Sequence, residues 1–208
     1  MTIKTITPPT TEPVTLQEVK DHLRIVHDDE DDLIESYKIA ARKHIEFTLT
    51  WRALITQELQ LSLDSFPPRA TYYSPYFIKA KNDEIVLPYP PVQEIVSITY
   101  KDKDGTETTI PADDYIVDTD SEPARIVPAP GESWPTEDLY PLGAVKIKFK
   151  AGYGDTKEDV PNELRQAILM LTAHFYENRE QVVIGATVAD LPMAIDALTM
   201  PYRAWGGA

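Results

Sequence analysis

The chain has 208 residues, 42% of them apolar, no cysteine and a formal charge of −14. Without cysteine there is no disulfide framework, thiolate metal site or cysteine nucleophile. The acidic balance argues against sequence-specific DNA binding, because such a surface repels phosphate, although DNA can still pass close to it without sticking.

The opening stretch MTIKTITPPTTEPVTL lacks the apolar core of a signal peptide, and no apolar run reaches the roughly 20 residues that span a bilayer. A soluble, intracellular protein is expected. Proline is plentiful, at 18 residues, and glycine scarce, at 8. Loops stiffened by proline follow.

Residues 1–14 read as an extended arm or a short edge strand. Thr15 and Glu18 stand at capping-box spacing, and Leu16, Val19, Leu23 and Val26 recur with helical period, so a short amphipathic helix is predicted over about 15–26. After the acidic run DDEDD (28–32), a long helix is predicted over about 30–50. Its apolar stripe is Leu33, Tyr37, Ala40, His44, Phe47 and Trp51, with Ile34, Ala41 and Ile45 beside it.

From residue 53 the period changes to two. LITQELQLSL places Leu59, Leu61 and Leu63 on one face, and EIVLPYPP is a short strand stopped by proline. VQEIVSITYKDKDGTETTI is a hairpin with Val96, Ile98 and Tyr100 alternating and Asp104-Gly105 at its turn. DYIVD and ARIVP are short strands. AVKIKFKAGY is the clearest strand, with Val145, Ile147 and Phe149 on one face and Lys146, Lys148 and Lys150 on the other. The helical period returns at Asp159 or Val160 and runs to about 180. A further short helix fits between Pro192 and Pro201, followed by an aromatic tail.

The fold class expected is therefore α+β. A helical unit (residues 1–52, an arm and two helices, with 152–208, a long helix, a short helix and a tail) is interrupted by a small antiparallel β domain at 53–151.

The chemical motifs are sparse. DDEDD suits the positive end of a helix dipole better than a divalent cation. DKDG (102–105) has turn chemistry without the remaining ligands of a calcium loop. GYGDTK (152–157) matches neither a phosphate loop nor a dinucleotide loop and reads as a tight turn leaving a strand. The lysine row of the last strand is a solvated face, and lysine on an exposed strand discourages edge pairing. No H-E-x-x-H or G-x-S-x-G occurs. His44, on the apolar stripe, is a hydrogen-bonded core or interface histidine. No catalytic residue, metal ligand or cofactor is assigned.

The segment LMLTAHFYENREQV carries many polar groups, yet the helical wheel of 161–180 is apolar over most of its circumference. Leu164, Ile168, Leu171 and Phe175 form one stripe, Leu169 and Tyr176 a second, and Met170 and Ala167 flank them. A helix of this kind needs cover on most sides, and a neighbouring subunit is the expected source. His174, Tyr176, Asn178 and Arg179 are expected to hydrogen-bond it to neighbouring segments or subunits.

In order and spacing, these pieces resemble the head–tail connector (adaptor) family of long-tailed bacteriophages and prophages, in a long form with an inserted β region. TLQEVKDHLRIVHDDEDDLIESYKIAARKHIEFTLTWRALITQELQLSLDSFP is similar to that family's two opening helices and following strand. LPYPPVQEIVSITYKDKDGT is similar to its central hairpin, and VKIKFKAGYGD to its last strand. VPNELRQAILMLTAHFYENRE resembles its signature helix and LPMAIDALTMPYR its closing segment. The stretch PRATYYSPYFIKAKNDE (68–84) is longer and more aromatic than the family pattern.

The resemblance implies a structural, non-enzymatic virion protein of the head–tail neck, assembled in the host cytoplasm. It implies a ring, commonly dodecameric, bound below the portal protein, extending the DNA channel and offering a platform to the head-closure (stopper) protein and tail. The helices at 30–50 and 161–180 would form the ring wall, with Tyr37, His44, Leu169, Met170, His174, Tyr176 and Arg179 as candidate subunit-interface residues. Met200, Tyr202, Arg203 and Trp205 are candidates for portal docking. DNA would pass nearby without specific contact, and no membrane partner is implied. Two rival readings remain at this stage: a small-ligand or carbohydrate-binding module using Tyr72, Tyr73, Tyr76 and Tyr89, and a hydrolase with two carboxylates in a concave pocket.

Overall fold

A computed structural model describes residues 1–67, 83–178 and 193–204. Over the described residues the chain is an α+β mixture of four α-helices and two antiparallel sheets. The first helix, α1 (Leu16–Leu23), begins as predicted. Glu18 N–H donates to the Thr15 hydroxyl while the Glu18 carboxylate accepts from the Thr15 N–H. It stops three residues before the predicted end, because Arg24 turns left-handed at φ 59° and its N–H closes back on the helix.

Helix α2 (Asp31–His44) continues into a six-residue π-helical segment, Ile45–Thr50, that ends at left-handed Trp51. Its buried face differs from the predicted stripe. Ile34, Ala41 and Ile45 are fully buried, whereas Ala40 is exposed and Tyr37 and His44 are half-buried. The inward line is rotated by about one residue, or 100°. The buried set also includes Lys38, Arg42 and Glu46, charged residues that a polarity pattern assigns to the outside. They are tolerated because they are paired: Lys38 with Glu35 at 2.7 Å, and Arg42 with both Glu12 at 2.8 Å and Glu46 at 2.5 Å.

The residues predicted as an arm or edge strand form β1 (Thr2–Thr7), which pairs antiparallel with β2 (Gln57–Leu63). β3 is Ile85–Val86, β4 Val92–Lys101, β5 Glu107–Thr109, β6 Tyr115–Asp118, β7 Arg125–Pro128 and β8 Val145–Ala151. One sheet has the order β1-β2-β8-β4-β5 and the other β3-β7-β6. The two share one apolar cluster containing Leu59, Leu61, Leu87, Ile98, Ile126, Ile147 and Phe149.

Two expectations change here. β8 lies between β2 and β4, so its lysines stand on the outer face of a central strand and guard no edge. Lys150 pairs with Glu94 at 2.7 Å and Lys146 with Glu107 at 3.6 Å. The alternation Val96-Ile98-Tyr100 is broken as well. Ile95 faces Phe149 and Ser97 faces Lys148, so Val96 is the extra residue of a bulge and lies 47% exposed.

Asp102 accepts from the N–H groups of Asp104 and Thr106, both at 2.9 Å, as turn chemistry requires. The turn predicted at GYGDTK is a close crossing of two backbones. Gly152 N–H donates to Pro91 O, Tyr153 N–H to Leu54 O and Thr56 N–H to Gly154 O, at 2.9–3.0 Å. A Cβ on Gly152 would lie 2.5 Å from the Ile55 carbonyl carbon. This crossing joins the sheet cluster to a second, helical one containing Val19, Ile34, Ala41, Ile45, Leu164, Ile168, Leu171 and Ile195.

Helix α3 (Asn162–Glu177) starts two to three residues later than predicted, because a Thr156–Asp159 capping box first closes a 3-10 turn at Lys157–Asp159. Helix α4 (Met193–Thr199) fills the expected place between the two prolines, and a 3-10 turn at Met200–Tyr202 carries the chain past Pro201.

Candidate functional site

The chain's own helices cover most of α3. Leu164, Ala167, Ile168, Leu169, Leu171 and Thr172 are buried within the single chain, against α1, α2, α4 and the π segment. The need for a neighbouring subunit, inferred from the wheel, therefore does not hold for the main stripe. Met170, Ala173, His174, Phe175 and Tyr176 remain half-buried.

Several predicted interface residues are already engaged within the chain. The Tyr176 hydroxyl donates to Glu30 at the start of α2, tying the far end of α3 to the acidic run. Tyr37 and Phe175 meet with ring centroids 6.4 Å apart. The Asn178 side-chain amide donates to His174 O at 2.9 Å, ending the helix with a local cap. Burial pushes the His44 imidazole below its usual pKa, and the ring has no hydrogen bond among the described residues, contrary to the hydrogen-bonded histidine expected. Arg179 and Trp205 lie outside the described residues, as do Tyr72, Tyr73 and Tyr76. Tyr89 is buried between Phe47 and Trp51, at 5.2 and 5.9 Å, so it lines no open cleft.

The C-terminal segment has a definite seat. Helix α4 turns Ile195 and Thr199 inward onto α3 and the π segment. The π segment ends with carbonyls that no residue of the helix satisfies. The segment supplies the donors: Ala204 N–H to Thr50 O at 2.8 Å and Arg203 Nε to Leu49 O at 3.2 Å. Arg203 also pairs with Asp196, and the Tyr202 hydroxyl donates to Glu163 at 2.9 Å. That carboxylate pushes the Tyr202 phenol up in pKa. Of the predicted docking residues, Tyr202 and Arg203 thus point back onto the chain, and Met200 points out.

An apolar stripe runs along the outward face of this segment, beside the exposed Arg203–Asp196 pair. Met193 is 89% and Met200 64% exposed, and Ala197 between them is exposed too. Positions 193, 197 and 200 follow helical spacing and share one face. Met193 and Ala197 are absent from the sequence-derived set, although the same spacing over MAIDALTM marks them.

Sequence reasoning also missed Arg52 and Glu46. Arg52 is 8% exposed. Its Nε donates to Tyr202 O, and its two terminal nitrogens grip the Glu122 carboxylate. The guanidinium holds the Glu122 carboxyl below its usual pKa. Glu46, fully buried, accepts from Arg42, from Leu54 N–H at 2.9 Å and from Gln57 Nε2 at 3.0 Å. Burial pushes its carboxyl up, against the pull of these donors. A third knot is Glu18, which joins α1 to Lys157 at 2.9 Å and to Arg165 at 2.7 Å. Burial raises its pKa, but the Thr15 N–H, Lys157 and the Thr15 hydroxyl together bring it down to about 2.

These constellations are structural. Glu18, Glu46 and Glu122 each accept hydrogen bonds from donors of their own chain. Among the described residues no group of three metal-ligating side chains converges, and no helix is long and apolar enough to cross a membrane.

Comparison with known proteins supports the family resemblance. Residues 13–87 match the model of the Phage gp6-like head-tail connector protein family. That stretch contains α1, α2, the π segment, β2 and β3. No curated protein matches the chain. Among solved structures, a chain in the neck of an empty gene transfer agent (GTA) particle, computed with C6 symmetry, superposes with a TM-score of 0.77 at 28% identity. A chain of the native GTA virion gives 0.74 at 27%, and one in the native GTA neck, computed with C12 symmetry, gives 0.74 at 28%. Each alignment covers 98% of this chain and 96% of the other.

Proposed function

We propose that this protein is a structural, non-enzymatic component of the neck of a phage-like particle, forming a ring between head and tail. The observation that carries the reading is the near-complete alignment with chains of GTA necks at 27–28% identity. The C6 and C12 symmetry of those necks supports a ring of six-fold or twelve-fold order, and we take it to be dodecameric.

The ring binds below the portal, extends the DNA channel and presents a platform to the head-closure protein. The net charge of −14 supports a wall along which DNA moves without being held. Copies meet through the half-buried rim of α2 and α3, including Tyr37, His44, Met170 and His174. We read residues 1–52 and 152–208 as one helical unit carrying 53–151 as an insertion, with β1 reaching back to edge the larger sheet.

Portal docking uses the outward face of the C-terminal segment. Met193, Ala197 and Met200 form an adaptable apolar stripe, and methionine suits a surface that must fit a groove. The test is a double variant, Met193→Asp with Met200→Asp, mixed with portal-bearing heads. Unaltered circular dichroism and melting with lost attachment is the expected result. Attachment at the wild-type level would overturn the docking assignment. Native mass of the wild type, alone and with portal, tests the ring itself.

A further inference from the structure

We propose that Arg52 couples the C-terminal segment to the small sheet, so that a partner engaging residues 193–204 alters the turn between β6 and β7. Only the identity of that partner rests on the neck reading above; the coupling is a property of the single chain.

The geometry places one guanidinium between two distant parts of the chain. On one side Nε donates to Tyr202 O at 2.5 Å, within the segment that bears Met193 and Met200. On the other, both terminal nitrogens bind Glu122, on the turn that links β6 to β7. Tyr153, just past the Gly152 crossing, is its third neighbour. The donors of a guanidinium form a rigid planar fork. It cannot rotate to follow Tyr202 and keep both bonds to Glu122.

The backbone of Arg52 offers little slack. Trp51, immediately before it, is held left-handed at φ 55° at the end of the π segment. Arg52 N–H is itself bonded to Glu46 O at 3.1 Å. With the side chain 10% exposed, water is a poor substitute for either partner. Movement at one end is therefore felt at the other as a change in hydrogen bonding, which is a coupling free energy between two sites. Arg52 is a positioning residue in this arrangement. Its expected consequence is that docking at the C-terminal segment is sensed at the β end of the molecule.

The test is hydrogen–deuterium exchange by mass spectrometry on the full-length chain without any partner. The variants are Glu122→Gln, Arg52→Met, Arg52→Lys and the double variant Arg52→Met with Glu122→Gln. Glu122→Gln is expected to speed exchange in 193–204 by about tenfold, the factor that goes with one weakened charge-assisted hydrogen bond. Peptides from β8 should keep their wild-type rate. In the Arg52→Met background, Glu122→Gln should add nothing to the rate in 193–204. Arg52→Lys should uncouple the two regions as Arg52→Met does, because it keeps the charge and loses the fork.

Unchanged exchange in 193–204 upon Glu122→Gln overturns the proposal. So does an acceleration of the same size with Arg52 already removed, or one shared equally by β8. Because no portal is present, a chain that shows the coupling yet fails to join portal-bearing heads counts against the neck reading alone.

Discussion

Replacing Glu46 by alanine tests whether the buried charges of α2 hold the helical cluster to the sheet. Glu46 is fully buried and takes three donors, from Arg42, Leu54 N–H and Gln57. Alanine leaves the Leu54 N–H and the Gln57 amide without an acceptor, each worth about 1–3 kcal/mol when buried. It also leaves Arg42 with Glu12 as its remaining anion. Breaking a buried pair from one side costs roughly 3–5 kcal/mol, and the terms overlap, so about 4 kcal/mol is expected. With a urea slope of about 2–3 kcal/mol per molar, the unfolding midpoint should fall by roughly 1.3–2 M. Glu46→Gln keeps an oxygen for Leu54 and Gln57 and should lose about half as much. Adding Arg42→Ala to Glu46→Ala should cost less than the sum of the two single changes, because both remove the same Arg42–Glu46 pair. A midpoint shift of less than about 0.4 M for Glu46→Ala, close to 1 kcal/mol on that slope, would refute the reasoning.

The two-backbone crossing predicts that Gly152→Ala destabilises by more than about 3 kcal/mol, since its Cβ would meet the Ile55 and Thr56 backbone at 2.5 Å. Gly105→Ala, also at positive φ but with open space around it, should cost about 1 kcal/mol in the same urea titration; equal costs would remove the close approach as the cause. The bulge predicts that Val96→Ala costs under about 0.5 kcal/mol while Ile98→Ala, fully buried, costs about 3 kcal/mol. Comparable losses at the two positions would mean that Val96 packs inward after all. For Glu18, the folded pKa of about 2 lies below the ordinary 4.5. Its contribution is therefore fully present above pH 4.5 and fades as the pH falls toward 2. Calorimetric melting should show Glu18→Gln losing less Tm than the wild type between pH 5 and pH 2.5, and parallel curves would contradict the capping assignment.

Much of the fold was legible because its signals are local. Thr15 and Glu18 meet across three residues, so their capping box depends on nothing beyond the turn they close. The alternation of Val145, Ile147 and Phe149 is likewise a property of one strand, and all three are buried as read. The connector resemblance drew on the same local pieces in order. The candidate site was legible only in outline. Its position after the long helix was predicted, and Met200 faces outward, but Tyr202 folds back onto the Glu163 carboxylate, 39 residues away, and Arg203 onto the Leu49 carbonyl, 154 residues away.

Which segments are helix or strand, and in what order they come, is written in the local pattern of residues. Periodicity and capping are settled within a few residues, and the backbone obeys them wherever it lies. The rest is set by long-range packing: β8 at the centre of its sheet, Val96 bulged outward, and Arg42, Glu46 and Arg52 inside. A charged side chain reads as exposed until its partner is placed, and those partners come from Glu12, Gln57, Glu122 and Tyr202, brought close by the fold. Burial of a charge depends on who stands opposite, and that is a long-range fact.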